Sequence, residues 1–310
     1  MPKLIIATRG SELALAQARW AARQLSALSP GLEVELQLFK TKGDKILDAP
    51  LAKVGGKGLF VKEIEDALLD GRARVAVHSM KDMPAELPPG LCIAAVSRRE
   101  DPRDVLISRD GLGLDELPAT PRLGTSSLRR QAQLLARRPD AMVVSVRGNV
   151  QTRLRKLEEL GLDAIVLAAA GLDRLGLSDP RRVDLAPELM LPAVGQGALA
   201  IEARADDAFC LELCARLAHQ PTAVAVEAER AFLGRLEGGC QVPIAGHAVV
   251  DGDEIVFEGL VASLDGKRLI RRRAVGRADE AGPLGLAVAE EILADGGRQI
   301  LAEVYGRGPQ

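Results

Sequence analysis

Lys3-Leu4-Ile5-Ile6-Ala7-Thr8-Arg9-Gly10-Ser11 holds a strand, a loop and a helix start in succession. Lys3 to Ala7 reads as a short buried strand, and Ser11 is a good N-cap for the Ala/Leu-rich segment that runs to about Leu28. Outward from there the alternation continues. Val34 to Phe39 alternates like a strand, Phe60, Ile64, Ala67 and Leu68 recur at helical spacing, and Val75 to Val77 and Cys92 to Val96 read as buried strands. Strands alternating with helices imply an α/β lobe with a mostly parallel sheet.

The pattern restarts after Arg98-Arg99-Glu100-Asp101-Pro102, with strands at Val105 to Ile107, Met142 to Val146 and Ala164 to Ala168 and helices near Ser127 to Arg137 and Val150 to Leu160. This is a second α/β lobe. Pro192 to Gly197 reads as a linker, and Leu199 to Glu202 as a strand returning to the first lobe, so two crossings would make a hinged cleft. From Pro221 the texture changes to a helix ending near Leu236 and strands at Ala248 to Val250, Ile255 to Val261 and Leu269 to Val275, joined by Asp251-Gly252 and Asp265-Gly266 turns. The expected division is a discontinuous first lobe of residues 1–98 with 198–217, a second lobe of 99–197 and a small α+β domain of 218–310.

Composition narrows the function. The chain has 310 residues, 47% of them apolar but only 2% aromatic, and a formal net charge of -2. Few base-stacking platforms and a balanced charge argue against a nucleic-acid binder. No apolar run long enough to span a bilayer and no export signal are evident, so a soluble cytoplasmic protein is expected. Positive charge is nevertheless gathered between Arg122 and Lys156, which points to a compact anionic ligand.

Gly124-Thr125-Ser126-Ser127-Leu128-Arg129-Arg130 follows a strand and opens a helix, so N–H groups, hydroxyls and arginine forks can all meet one anion, unless it is an ordinary capped helix with solvated arginines. Arg147-Gly148-Asn149 repeats that placement, Arg153 lies about a turn further on, and Arg174 follows the next strand. Thr8-Arg9-Gly10-Ser11 does the same in the first lobe. His78-Ser79-Met80-Lys81-Asp82 ends a strand on adjacent opposite charges, which either pair with each other on the surface or leave Asp82 as a fixed negative charge among cations. Lys53 to Gly58 lacks the glycine and hydroxyl of a phosphate loop and reads as a basic loop.

Four cysteines without paired spacing and only three histidines give no metal site. Phe209, Cys210, Leu213, Cys214 and Leu217 form one apolar helical stripe, and Cys92 sits in a strand, so these cysteines read as core. Cys240, in Leu236-Glu237-Gly238-Gly239-Cys240-Gln241-Val242-Pro243, is either a small buried hydrophobe or a thiol presented on a glycine-freed loop. The glycines before it and the proline after it favour the second.

Together these blocks, with Ala52 to Phe60 and Leu191 to Gly197, resemble the porphobilinogen deaminase (hydroxymethylbilane synthase) family over nearly the whole chain. Gly10 and Glu12 beside Arg9 are the local departures. The resemblance implies two lobes like those of type II periplasmic binding proteins and a third domain carrying a cofactor cysteine. It implies a dipyrromethane attached by a thioether to Cys240, on which four porphobilinogen molecules are joined head to tail and released by water as hydroxymethylbilane. By the same resemblance Asp82 is catalytic and faces the pyrroles, and Lys81, Thr125, Ser127, Arg129, Arg130, Arg147 and Arg153 hold the cofactor with it. Arg9, Ser11, Gln17, Phe60, Arg147, Arg153 and Arg174 fall on the substrate side. A monomer without nucleic-acid or membrane partners is expected. A non-catalytic two-lobed binding protein for a small anion is the alternative reading, and it has no evident need for the Cys240 loop.

Overall fold

A computed structural model describes residues 3–45, 61–238 and 242–306. Phe60, the Lys53 to Gly58 loop and Cys240 lie outside the described residues. The chain divides into two compact units, residues 1–100 with 197–223 and residues 101–196 with 224–310.

In the first unit, β1 (Lys3–Arg9) leads into α1 (Glu12–Leu28), and the Ser11 hydroxyl caps the helix by accepting from Ala14 N at 3.3 Å. β2 (Glu33–Phe39) follows. The polar stretch after it contains a four-residue helix, α2 (Lys42–Lys45). Ile64, Ala67 and Leu68 of α3 (Lys62–Leu69) are buried as their spacing demands. β3 (Val75–Ser79) runs into a 3₁₀ turn over Met80–Asp82, and β4 (Leu91–Val96) completes this part of the chain.

The second unit opens with β5 (Asp104–Ser108), β6 (Arg122–Gly124) and α4 (Leu128–Arg137), then β7 (Met142–Val144), α5 (Val150–Glu159), β8 (Ala164–Ala168), α6 (Ala169–Arg174) and β9 (Arg182–Leu185). Its sheet order is β7-β6-β8-β5-β9, parallel through the first three strands and antiparallel on both sides of β5. The chain then returns to the first unit as β10 (Leu199–Arg204) and α7 (Ala208–Ala215). There the order is β2-β1-β3-β10-β4, again parallel through three strands and antiparallel on both sides of the fourth. Four of the five strands in each sheet thus run the same way, as the mostly parallel expectation has it, and one reversed strand makes each sheet mixed: a run of buried apolar residues specifies a strand but not its direction.

α8 (Gln220–Arg235) leads to an antiparallel sheet of β11 (Ile244–Asp251), β12 (Glu254–Ala262) and β13 (Leu269–Arg277), followed by α9 (Ala281–Ile292) and α10 (Arg298–Val304). The β11–β12 turn is centred on Gly252 and Asp253, with Gly252 at φ 58°. Gly259 lies under the Phe232 ring, where a Cβ would come within 2.6 Å of its edge, so glycine is required for α8 to seat on β12. One stripe residue differs from expectation: Phe209 is 42% exposed and lies under the Arg74 guanidinium at 5.1 Å, while Cys210 and Cys214 are buried. Among the described residues no helix is long and apolar enough to cross a membrane.

Candidate functional site

Arg9, Gln17, His78, Ser79 and Asp82 line one pocket of the first unit, floored by Ala14, Val61, Ile64 and Val77. The parallel pairing of β1 with β3 is what brings them together, because both strands end at this edge and hand their loops to it. Gln17 donates to Ser79 Oγ at 2.9 Å, tying α1 to the end of β3. Met80 N donates to Ala198 O at 3.0 Å, fixing the turn that carries the half-buried Lys81 and Asp82. Ser11 does not line this pocket; its hydroxyl serves the helix cap. A cation, an amide and a carboxylate thus meet around a small apolar floor.

In the second unit β7, β6 and β8 run parallel, so the loops that follow them leave one edge of the sheet. Those loops carry Thr125 to Ser127, Arg147, and the short helix ending at Arg174. A Cβ on Gly124 would fall within 3 Å of Leu162, Ile165 and Val146, which explains a glycine where the strand gives way to the loop. Thr125 Oγ1 accepts from Ser127 N at 3.1 Å, and Ser127 Oγ accepts from Arg130 N at 3.4 Å, so both hydroxyls help to shape the helix start. The next loop has Gly148 at φ 119°, and Asn149 caps α5 by accepting from Thr152 N at 2.8 Å. Arg153 Nε donates to Gly148 O at 2.9 Å, and Lys156 donates to Arg147 O at 3.1 Å. Arg147, Arg153 and Arg174 are half-buried.

Arg129 and Arg130 are placed differently from what their position in the sequence leads one to expect. Both are 5% exposed and grip the fully buried Asp104 of β5. Arg129 Nη1 lies 2.7 Å from Asp104 Oδ2 and donates to Leu191 O at 2.7 Å, while Arg130 donates to Asp104 Oδ1 and to Val166 O. Burial by itself would raise the Asp104 carboxyl, but the two guanidinium groups outweigh it and hold the carboxyl well below the usual carboxylate range. Burial lowers Arg129 against the opposing pull of Asp104. The carboxylate partner that their chemistry calls for is inside the protein.

The first unit holds a second group that sequence reading passed over. His78 Nε2 lies 2.9 Å from Glu202 Oε2, and both side chains are buried. The one available signal was a lone histidine in the apolar strand Val75-Ala76-Val77-His78.

Burial, reinforced by Asp207, pushes the Cys210 thiol up to about 12, and burial does the same to Cys214. Cys92 is also raised by burial. All three described cysteines are therefore held as unreactive thiols. The approach to Cys240 is well tied: Glu237 has φ 52°, Gly238 N donates to Leu233 O at 2.9 Å, and Tyr305 Oη donates to Glu237 O at 2.8 Å. Among the described residues no group of His, Cys, Asp and Glu could hold a metal ion.

The chain is similar to known proteins over nearly its whole length. Residues 4–212 match the family described as porphobilinogen deaminase, dipyromethane cofactor binding domain, and residues 223–294 match its C-terminal domain. A porphobilinogen deaminase of Nitratidesulfovibrio vulgaris (strain DSM 19637 / Miyazaki F) is 59% identical over 99% of both chains. One of Geobacter metallireducens is 56% identical over 98% of this chain and 96% of its own. Among solved structures, the probable amino-acid ABC transporter extracellular-binding protein ytmK of Bacillus subtilis has a TM-score of 0.44 at 10% identity, covering 70% of this chain and 90% of its own. Two family models in order and majority identity over nearly the full length place the chain in the porphobilinogen deaminase family.

Proposed function

We propose that the reaction of this family, the head-to-tail joining of four porphobilinogen molecules into hydroxymethylbilane with release of ammonia, is carried out here at Asp82, with the primer held at Cys240. The observation that carries the reading is the shared pocket of Arg9, Gln17 and Asp82. A pyrrole bearing acetate and propionate needs a cation for its carboxylates and an anion for its ring N–H, and this pocket supplies both.

As the C–N bond of the aminomethyl group breaks, its electron pair leaves with ammonia and positive charge spreads over the pyrrole. Asp82 stabilises that charge, and Arg9 holds the substrate carboxylate so that the ring does not drift. The donor set fits a carboxylate-rich primer: Lys81 and Asp82 of the first unit and Thr125, Ser127, Arg129, Arg130, Arg147 and Arg153 of the second would hold a dipyrromethane, with Arg9, Ser11, Gln17, Phe60, Arg147, Arg153 and Arg174 serving the substrate. When bound, that group supplies the pyrrole carbon to which the first substrate is added and stays behind when water releases the product. The grip of Arg129 and Arg130 on Asp104 also fixes the loop that precedes them. The same reading divides the chain into residues 1–98 with 198–217, 99–197 and 218–310, and makes it a monomeric cytoplasmic enzyme without nucleic-acid or membrane partners.

Asp82→Asn keeps the shape and removes the charge, so turnover by cofactor-loaded protein should fall about 100-fold or more with little change in stability. Ammonia release from porphobilinogen, followed alongside thermal melting, measures both. Near-normal turnover would remove Asp82 from the mechanism.

Arg147→Leu and Arg153→Leu should disturb loading or elongation while leaving the attachment atom in place. Native mass spectrometry after limited substrate should then show altered proportions of apo, loaded and partly elongated protein. A wild-type ladder together with wild-type turnover in both variants would show that these arginines bind no substrate carboxylate.

A further inference from the structure

Behind the pocket, three ionisable groups are packed into the space between the first sheet and α3. Ala76 and His78 share one face of β3, and Glu202 of β10 lies opposite Ala76, so His78 and Glu202 meet diagonally across the ladder. Glu65 of α3 is buried above them and acts electrostatically on Glu202. Glu65 Oε1 and Glu202 Oε1 are both buried with no hydrogen-bond partner. Two buried carboxyl groups with orphaned oxygens are too costly to keep as structural filler when apolar residues of similar size would serve.

The 2.9 Å contact fixes the histidine chemically. An ionised Glu202 only accepts, and with that partner His78 Nε2 carries the proton. His78 also lines the pocket with Arg9 and Asp82. We propose that His78 is a positioning residue for the reacting pyrrole, held through Nε2 by Glu202. This rests on the reading of Asp82 given above. In each coupling step a ring C–H bond breaks and its proton ends on the departing ammonia. A fixed imidazole beside Asp82 orients the ring while that proton is in transit.

Glu65 supports the arrangement. Burial first, and then the charges of Glu202 and Asp66 against that of Lys62, raise its carboxyl to about 7. Glu202 in turn is contacted by His78 of β3 and acts on Cys92 of β4. Because the folded protein holds the Glu65 proton more tightly than the unfolded chain, its stabilising share is complete below the usual glutamate range. That share is lost as pH rises through about 7. Glu65→Gln should flatten that part of the stability profile.

The deciding experiment is a long-range ¹H–¹⁵N imidazole spectrum of the loaded protein across pH, tractable because the chain has only three histidines and His78→Gln identifies the signal. The expected result is a His78 ring that carries its proton at Nε2, with the Nε2 signal moved in Glu202→Gln, where the carboxylate that accepts from it is gone. His78→Gln should lose roughly 10- to 100-fold in kcat with KM changed far less. An Nδ1–H tautomer, an Nε2 signal unmoved in Glu202→Gln, or wild-type kcat in a folded His78→Gln would each overturn the proposal. The spectrum of the unmutated protein decides the tautomer even if a variant fails to fold. It is also independent of Asp82, whose own role stands or falls with Asp82→Asn.

Discussion

Cys240→Ser is expected to leave the purified protein without its covalent dipyrromethane and without measurable product formation, while the fold survives. A serine hydroxyl is a far weaker nucleophile than a thiolate and does not form the thioether. The other cysteines cannot substitute, because Cys210 and Cys214 are buried with thiols pushed up to about 12 and Cys92 is raised as well. Survival of the fold follows from the flanks. Gly238 N is bonded to Leu233 O and Ile244 N to Val242 O, so both sides of the loop are anchored without the sulfur. Denaturing intact mass decides the matter: the Cys240→Ser protein should lack the adduct, and Cys210→Ser and Cys214→Ser should keep it. Retention of the full adduct by Cys240→Ser would move the anchor elsewhere.

Asp104→Asn should be the most destabilising change of similar shape in the second unit. Asparagine fills the same volume but leaves two arginines, each 5% exposed, without a counter-charge. Removing one partner of a buried ion pair costs about 3–5 kcal/mol. Gln196 Nε2 also donates to Asp104 Oδ1 at 3.0 Å and to Pro102 O at 2.7 Å, so the disturbance reaches the segments on both sides of the pair. Urea unfolding at neutral pH measures the loss. The pH dependence carries a sign of its own. A carboxyl held below its ordinary value stabilises the fold above the usual aspartate range and loses that contribution as pH falls toward its folded value. The wild-type protein should therefore weaken in acid through Asp104, and the Asn variant should lack that component. An unchanged urea midpoint would show that Arg129 and Arg130 do not depend on Asp104.

The limits of sequence reading fall at particular residues. Ser11 and the start of α4 at Ser127 were legible because capping is a contact over three residues, written into adjacent positions. The grouping of Thr125, Arg147 and Arg174 at one sheet edge was legible because parallel strands connected through helices must all end on the same side. His78 and Glu202 are 124 positions apart, and nothing local to either records the other. Arg129 and Arg130 show the same gap from the opposite direction: their local setting is that of an anion site, and the anion is a buried side chain on β5.

What the sequence determined by itself is therefore the periodic and the contiguous: strand and helix order, the caps, the arginine-bearing loops, and a cysteine set among glycines apart from the apolar stripe of Cys210 and Cys214. Tertiary structure alone decided the direction of β5 and β10 within their sheets, the exposure of Phe209, and which cations are spent on internal carboxylates. The physical reason is range. Backbone propensity and burial periodicity act within a few residues, whereas charge pairing in a low-dielectric interior depends on which strands the fold sets side by side.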